Sequence, residues 1–281
     1  MSQIVATKVP ATTSNLGPGF DCLGLSLALY NIVTAYRSEA AADDPFLQAT
    51  AQAFFKKTGV PPFSFQCKVA GEVPRARGLG SSASVRVGLL DGLNRLCNHP
   101  LSTDELFKVC TELEGHPDNA APAIYGGFTV AKGQELPLRF EVDSSLKFIL
   151  LIPDFEIKTE FARNVLPESM SWRGAVESCT NACRITAAFA ARDYPSLRGA
   201  FTDALHQPFR QKFIPHFNKV VQAALGAGAL GAFLSGSGPT MIALALDRPD
   251  TVGEAMRLAF STGDAQVIIT QVGNSGHQSL A

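Results

Sequence analysis

Apolar and polar residues alternate over residues 63–69, where Phe63, Phe65, Cys67 and Val69 are separated by Ser, Gln and Lys. A period of two predicts a β-strand. Runs rich in β-branched and other apolar residues predict further strands at 4–10, 23–37, 128–131 and 146–152. Later in the chain, a strand, a tight turn and a second strand are predicted over 229–246, with a last strand at 265–272.

Helices are predicted between these strands. Leu89, Leu93 and Leu96 recur at spacings of four and three, which predicts an amphipathic helix just after residue 84. Further helices are predicted at 45–57, 102–114, 172–192, 195–205, 217–227 and 249–261. The pattern changes near Pro153, where long helices begin, so we expect a domain boundary between residues 145 and 155.

Composition narrows the function classes. The chain has 281 residues, of which 46% are hydrophobic and 17% charged, and this excludes a disordered protein. The net charge of −1 gives no electrostatic basis for nucleic-acid binding. The sequence shows no apolar stretch of membrane-spanning length and no signal-peptide pattern. Six scattered cysteines without a Cys-x-x-Cys pair argue against a disulfide scaffold or a zinc site, so we expect a cytoplasmic protein with reduced thiols.

The segment from Gly78 to Ser84 has the character of a phosphate loop. Two glycines and several serines precede a helix, whose first N–H groups are unpaired and carry partial positive charge. The plain alternative is a serine cap after a glycine turn. A Walker A loop is excluded because the chain contains no Gly-Lys pair. A dinucleotide fold is disfavoured because no acidic residue follows between residues 92 and 103.

A second cluster of chemical groups runs from Glu114 to Asn119, with the sequence Glu-Gly-His-Pro-Asp-Asn. Carboxylates beside a phosphate loop suit magnesium, which prefers oxygen ligands. The alternative is a solvated loop in which Asp118 caps a short helix. The Gly- and Pro-rich stretch from Pro10 to Asp21 is predicted to be an irregular loop.

Four segments, taken together and in order, resemble the GHMP small-molecule kinases, and the homoserine kinases in particular. They are Val9-Pro-Ala-Thr-Thr-Ser-Asn-Leu-Gly-Pro-Gly-Phe-Asp21, Arg77-Gly-Leu-Gly-Ser-Ser-Ala83, Glu114-Gly-His-Pro-Asp-Asn119 and Leu234-Ser-Gly-Ser-Gly-Pro-Thr240. The resemblance runs from about residue 5 to residue 246. It implies an α+β fold with two domains. Residues 1–148 would resemble the second domain of ribosomal protein S5, and residues 149–281 would be ferredoxin-like.

The resemblance also implies an active site between the two domains. Ser82 (or Ser81) and Glu114 would hold Mg²⁺, and the ATP phosphates would be wrapped by Pro74, Arg75, Ala76, Arg77, Gly78, Leu79, Gly80, Ser81, Ser82, Ala83 and Ser84. The homoserine pocket would be lined by Asn15, Asp21, His116, Asn119, Thr180, Arg184, Arg210 and Gly236. Asp21 would take the substrate ammonium, and Arg184 and Arg210 would take its carboxylate.

The implied reaction moves the γ-phosphoryl group of ATP to the homoserine hydroxyl, a step in threonine biosynthesis. We hypothesise that Asn119 orients the hydroxyl and that Asp118 is structural. Two alternatives remain open: a GHMP kinase for another alcohol, such as mevalonate or a sugar, and an ATP-binding relative without catalysis. Homodimer formation is expected from the resemblance. Two departures stand out: a short stretch at 38–47, and the additional basic residues Arg75, Arg77 and Arg86 around the phosphate loop.

Overall fold

Two antiparallel β-sheets and the helices packed on them form the part of the chain, residues 3–40 and 42–280, that a computed structural model describes. The strands are β1 (Ile4–Ser14), β2 (Leu23–Arg37), β3 (Phe65–Gly71), β4 (Phe128–Val130), β5 (Leu138–Phe140), β6 (Lys147–Pro153), β7 (Gly231–Leu234), β8 (Met241–Ala245), β9 (Ala265–Thr270) and β10 (Gln278–Leu280). The α-helices are α1 (Pro45–Thr58), α2 (Ser81–Leu96), α3 (Thr103–Glu114), α4 (Ala120–Tyr125), α5 (Thr159–Asn164), α6 (Trp172–Ala191), α7 (Gln207–Arg210), α8 (Phe217–Gly226) and α9 (Pro249–Ala259).

The first sheet has the order β10-β1-β2-β4-β5, and β3 also pairs with β2. Its centre is the long pairing of β1 with β2, in which the register shifts between Pro10 and Ala11. The prediction of an irregular loop from Pro10 onward is wrong for its first five residues. After the shift, residues 11–14 pair with residues 24–27 and extend β1 to the edge of the cleft described below.

The second sheet has the order β7-β8-β6-β9. With α8 before β7 and α9 between β8 and β9, this is the βαββαβ arrangement of a ferredoxin-like domain, as predicted. The strand β10 pairs with β1 of the first sheet, although the sequence reasoning assigned everything after residue 149 to the second domain. The boundary between residues 148 and 149 itself stays a prediction.

The hydrophobic core has three parts. Helices α1 to α4 cover one face of the first sheet, with Phe54, Leu89 and Phe107 fully buried. On the second sheet, alternate residues of β6 face opposite ways, as a strand requires. Ile149 and Leu151 lie in a cluster with residues of α8 and α9. Their neighbours Phe148 and Leu150 lie in the third cluster, which also includes residues of the first sheet and of α6.

The predicted helices at 45–57, 102–114, 172–192, 217–227 and 249–261 are found within two residues at each end. The helix predicted at 195–205 is wrong: only a 3₁₀ turn at Tyr194–Leu197 forms there. Gly199 has a positive φ of 74°, which a right-handed helix does not allow. Beyond it, the buried Asp203 carboxylate accepts hydrogen bonds from the backbone N–H groups of residues 205–207 and sets up α7.

The structure also bears on the expectations about the cysteines and about membrane-spanning helices. The six cysteines are free thiols. Among the described residues, no helix combines the length and the apolar character that a transmembrane span requires.

Candidate active site

A cleft of about 400 Å³ lies where the two sheets meet. Its walls come from the end of β1, the residue 76–82 loop, the block after α3, the segment leading into α5, and the turn after β7. The lining residues are Ser14, Asn15, Phe20, Asp21, Ala76, Arg77, Gly78, Leu79, Gly80, Ser81, Ser82, Arg86, Leu113, Glu114, His116, Asp118, Asn119, Ile157, Lys158, Thr159, Arg163, Arg210, Gly236 and Ser237.

The glycine loop at 78–80 is held by the backbone on both sides. Gly78 and Gly80 have positive φ angles of 74° and 65°. The N–H of Thr12 donates to the carbonyl of Leu79, and the hydroxyl of Ser235 donates to the carbonyl of Gly78. A Cβ on Gly80 would lie 1.8 Å from Oγ1 of Thr12, so only glycine fits there without movement.

The start of α2 is open toward the cleft. Gly80 is its N-cap residue, and no side chain among the described residues caps the helix. The first N–H groups of this 16-residue helix are therefore available to an anion, where the helix dipole also favours negative charge.

Ser82 and Glu114 form the oxygen pair on which a cation could bind. The Ser82 hydroxyl donates to Oε1 of Glu114 at 2.6 Å, and Nη1 of Arg86 lies 2.8 Å from the same oxygen. The Glu114 side chain is only 10% exposed, so its charge needs a partner. A hydroxyl and a carboxylate are hard oxygen donors and fit Mg²⁺ by donor chemistry.

Asn119 is oriented from three directions. Its side-chain oxygen accepts from the hydroxyl of Thr12 at 2.7 Å, and its side-chain NH₂ donates to Oγ of Ser14 at 3.0 Å. The NH₂ also donates to Oδ1 of Asp118 at 3.3 Å. Thr12 and Ser14 belong to residues 11–14, the part of β1 that follows the register shift. This part of the strand therefore fixes the Asn119 amide beside the glycine loop.

A second group of charged side chains lines the same cleft. Arg163 makes a two-point ion pair with Asp21, at 3.0 and 2.7 Å. This hydrogen bonding raises the pKa of Arg163. His116 lies 2.5 Å from the buried Asp118 through Nδ1. Burial of the ring lowers the pKa of His116, but the hydrogen bond and charge of Asp118 outweigh burial, and the pKa ends above its usual value.

Arg210 links the cleft to the turn after β7. It is 3% exposed and donates to the carbonyls of Ala162 and Gly236 at 2.9 and 3.1 Å. Burial, followed by the charge of Arg163, lowers the pKa of Arg210 to about 10. The ring of Phe20 lies beneath both guanidinium groups, 5.5 Å from that of Arg163 and 5.2 Å from that of Arg210.

Asn15 joins the first loop to the same turn. Its side-chain NH₂ donates to the carbonyl of Gly236 at 3.2 Å, while its side-chain oxygen accepts from the N–H of Asp21. Asn15 and Asp21 both have positive φ angles. The loop conformation, rather than the side chain of Asp21 alone, therefore turns this carboxylate toward Arg163.

Most residues expected in the site line this cleft, but two expected substrate contacts do not. Thr180 and Arg184 are exposed, and the Arg184 guanidinium donates to the carbonyl of Arg198. The buried face of α6 contains Ser178, Asn181 and Ile185, so residues 180 and 184 face away from the core. The expectation that they contact the substrate is corrected by this placement.

The expected nucleotide segment also lies only partly in the cleft. Its residues 76–82 line the cleft, whereas Pro74, Ala83 and Ser84 do not. Ala83 is fully buried, and the Ser84 hydroxyl donates to the carbonyl of Ser81. Arg75 faces a neighbouring cavity of about 550 Å³, which shares Ala76, Ser81 and Ser82 with the cleft.

Sequence reasoning missed Arg163, Thr159 and Phe20. Arg163 lies on the six-residue α5, which the hydrophobic pattern does not predict, and no glycine turn accompanies it. Phe20 directly precedes Asp21 in the segment from Val9 to Asp21. This position beside a candidate ligand was the signal that could have placed Phe20 in the site.

Comparison with known proteins places the chain in a class. The GHMP kinases N terminal domain matches residues 45–127, and the GHMP kinases C terminal domain matches residues 185–262. Together these ranges span more than half of the chain, and the chain belongs to the GHMP kinase family.

Individual relatives narrow the class. A homoserine kinase of Caldicellulosiruptor saccharolyticus is 37% identical over 97% of this chain and 96% of its own length. Another, of Halothermothrix orenii, is 40% identical over 90% of this chain and 88% of its own length. Within the GHMP kinases, the chain groups with the homoserine kinases.

Solved structures agree on the fold. The crystal structure of a homoserine kinase from Cytophaga hutchinsonii has a TM-score of 0.90 at 26% identity, covering 100% of this chain and 98% of that one. A mevalonate kinase of Methanococcus jannaschii has a TM-score of 0.73 at 15% identity, which shows the shared fold alone.

Proposed function

We propose that this protein phosphorylates the side-chain hydroxyl of L-homoserine with ATP, giving O-phospho-L-homoserine and ADP, a step of threonine biosynthesis. The observation that carries the proposal is the charge arrangement of the cleft. Next to the phosphate loop lie the carboxylate of Asp21, which suits the ammonium of an amino acid, and the guanidinium groups of Arg163 and Arg210, which suit its carboxylate. The full-length similarity to homoserine kinases supports it.

The Asp21–Arg163 pair supplies the recognition of the zwitterion. Without substrate, each of these groups satisfies the other. An amino acid entering between them offers an ammonium to Asp21 and a carboxylate to Arg163, so both charges exchange one partner for another. The planar donor forks of Arg163 and Arg210 suit a carboxylate. Arg163 and Thr159 take the roles that the sequence reasoning gave to Arg184 and Thr180.

The part of the cleft formed by the glycine loop, the start of α2 and Glu114, here called the phosphate half, would bind the triphosphate. The glycine loop and the open N-terminus of α2 supply backbone N–H donors, and the 550 Å³ cavity beyond Arg75 offers room for the nucleoside. Ser82 and Glu114 would hold Mg²⁺, which neutralises charge on the phosphates when it is bound. Phosphoryl transfer depends mainly on alignment and charge neutralisation, and these residues provide both.

Asn119 would orient the attacking hydroxyl. Its amide is fixed by Thr12 and Ser14 next to the glycine loop. It lies between the phosphate half and the part of the cleft with Asp21, Arg163 and Arg210, here called the substrate half. Asp118, whose Oδ1 lies 2.5 Å from Nδ1 of His116, would have a structural role. We keep the homodimer and the cytoplasmic location as predictions.

The proposal is tested by ADP release with Mg-ATP and L-homoserine, L-serine, L-threonine, mevalonate or galactose. We expect turnover with L-homoserine, with the product identified as O-phosphohomoserine by phosphorus NMR. Turnover with mevalonate or galactose alone would replace the substrate and retain the kinase. ATP binding without turnover of any of the five would support the non-catalytic alternative.

A further inference from the structure

Arg86 is a cleft residue to which the proposed reaction assigns no role. It follows Ser82 by one turn of α2, so both side chains lie on the same helix face. Both reach the same atom: the Ser82 hydroxyl and the Arg86 guanidinium contact Oε1 of Glu114 at 2.6 and 2.8 Å. Glu114 therefore already has a cation beside the oxygen expected to bind Mg²⁺.

The surroundings of Arg86 show that this contact is built into the site. The Arg86 and Glu114 side chains are 14% and 10% exposed, and the ring of Phe46 lies 4.6 Å from the guanidinium carbon. Within the described residues, the buried Nε of Arg86 has no hydrogen-bond partner. A buried donor without an acceptor is unfavourable, so the guanidinium has unused capacity for an anion.

A divalent cation on Glu114 would lie close to this guanidinium. Two positive groups on one carboxylate repel each other, and the repulsion is strong at a site shielded from water. Negative charge from a triphosphate would remove the conflict, because it gives the guanidinium another partner and adds ligands for the cation. Arginine is well suited to that exchange, since its donor fork binds phosphate and carboxylate alike.

We propose that Arg86 makes metal binding at Glu114 conditional on nucleotide: it neutralises Glu114 in the free protein and binds the triphosphate when the metal–nucleotide complex enters. This inference rests on the proposed kinase function and concerns the order in which the site is filled. Another arginine of α2, Arg95, does not line the cleft and donates instead to the carbonyls of Ala6 and Leu280. It provides a matched control with the same charge on the same helix.

The test compares the full-length protein with Arg86→Met in two binding measurements. In the first, electron paramagnetic resonance of free Mn²⁺ gives the affinity of the nucleotide-free protein for the metal. We expect Arg86→Met to bind Mn²⁺ at least tenfold more tightly, and Arg95→Met to stay within threefold of the unmodified protein. In the second, calorimetry with ATP and a chelator gives the affinity without metal, and we expect at least tenfold weaker binding by Arg86→Met.

Arg86→Gln is a second variant that guards against misfolding, because it removes the charge and keeps a polar side chain with a hydrogen-bond donor. We expect it to change both affinities in the same direction. An Mn²⁺ affinity or a metal-free ATP affinity within threefold of the unmodified protein in both folded variants overturns the proposal. Neither measurement contains homoserine, so failure here is separate from failure of the proposed reaction, which the ADP-release assay reports.

Discussion

The two halves of the cleft are built by different means. In the phosphate half, the glycine loop is fixed through its backbone: β1 and the turn after β7 donate hydrogen bonds to its carbonyls. The substrate half is made of charged side chains, and one of them, Arg163, lies on the short helix α5, where only Ala162 is buried. We infer that a site for a triphosphate requires a backbone of fixed shape, whereas a site for a small zwitterion requires charged side chains that can exchange partners.

The largest expected effect falls on the substrate half. Arg163→Met should lower kcat/KM for homoserine roughly 100-fold, because removing one member of a charge pair also leaves Asp21 without its partner. The KM for ATP should stay within about threefold. Steady-state kinetics with each substrate varied would measure this.

Arg184→Met is the matched control for that variant. Its side chain lies on the exposed face of α6, and we expect kinetics unchanged from the unmodified protein. The reverse result, with Arg184 essential and Arg163 dispensable, would restore the assignment made from the sequence and refute the structural placement.

Asn119 lies where the two halves meet. Asn119→Ala should lower kcat roughly 30-fold with a smaller change in the KM for homoserine, since a misaligned hydroxyl loses the benefit of positioning. Asp118→Asn should retain turnover. Complete loss of turnover in Asp118→Asn, with Asn119→Ala still active, would show that the carboxylate acts in the reaction.

The glycine loop of the phosphate half should be sensitive to changes of its backbone. Gly80→Ala adds a Cβ at a φ of 65° that meets Thr12, whereas Gly59→Ala adds one at a φ of 70° with nothing within 4 Å. We expect Gly59→Ala to cost about 1 kcal/mol of unfolding free energy and Gly80→Ala roughly 2 kcal/mol more, with loss of ATP binding. Urea denaturation and ATP titration compare the two. Equal stability costs would mean that the loop is not fixed as described.

The smallest expected effect is a pH dependence of stability. Burial holds the pKa of His206 at about 4, against a usual value of 6.5. Below pH 6.5 the unfolded chain takes up a proton that the folded protein refuses, so this contribution to stability decreases as pH falls toward 4. Between about pH 7 and pH 5.5, we expect the unmodified protein to lose about 1 kcal/mol more than His206→Gln.

The comparison with His206→Gln isolates the contribution of His206, because His116 is present in both proteins. The raised pKa of His116 changes stability in the opposite direction. His116 contributes stability below its unfolded pKa and loses it as pH rises through the folded value. Denaturant melts at several pH values measure the difference. Parallel curves for the two proteins would rule out a titrating role for His206.

Sequence patterns predicted secondary structure best where a helix or strand shows one clear hydrophobic period. The leucine spacing of α2 and the alternation in β3 predicted their elements, and the glycines at 78–80 predicted the turn before the helix start. Phosphate binding at that turn stays a prediction. The sequence could not show that β1 continues past Pro10, because that extension depends on pairing with residues 24–27. It also could not show that Arg163 lines the cleft and Arg184 does not, since this depends on which helix faces meet the cleft.

The core shared by the two sheets has a mechanical consequence. Leu25 and Phe128 of the first sheet and Phe148 and Leu150 of the second lie in one buried cluster. Separating the sheets would expose these side chains to water, so the two domains cannot swing apart as a hinge without a large free-energy cost. We therefore expect entry and exit of small molecules to depend on the segment at 154–166, which contributes to the cleft lining and joins the glycine loop through Arg77 and Ala76.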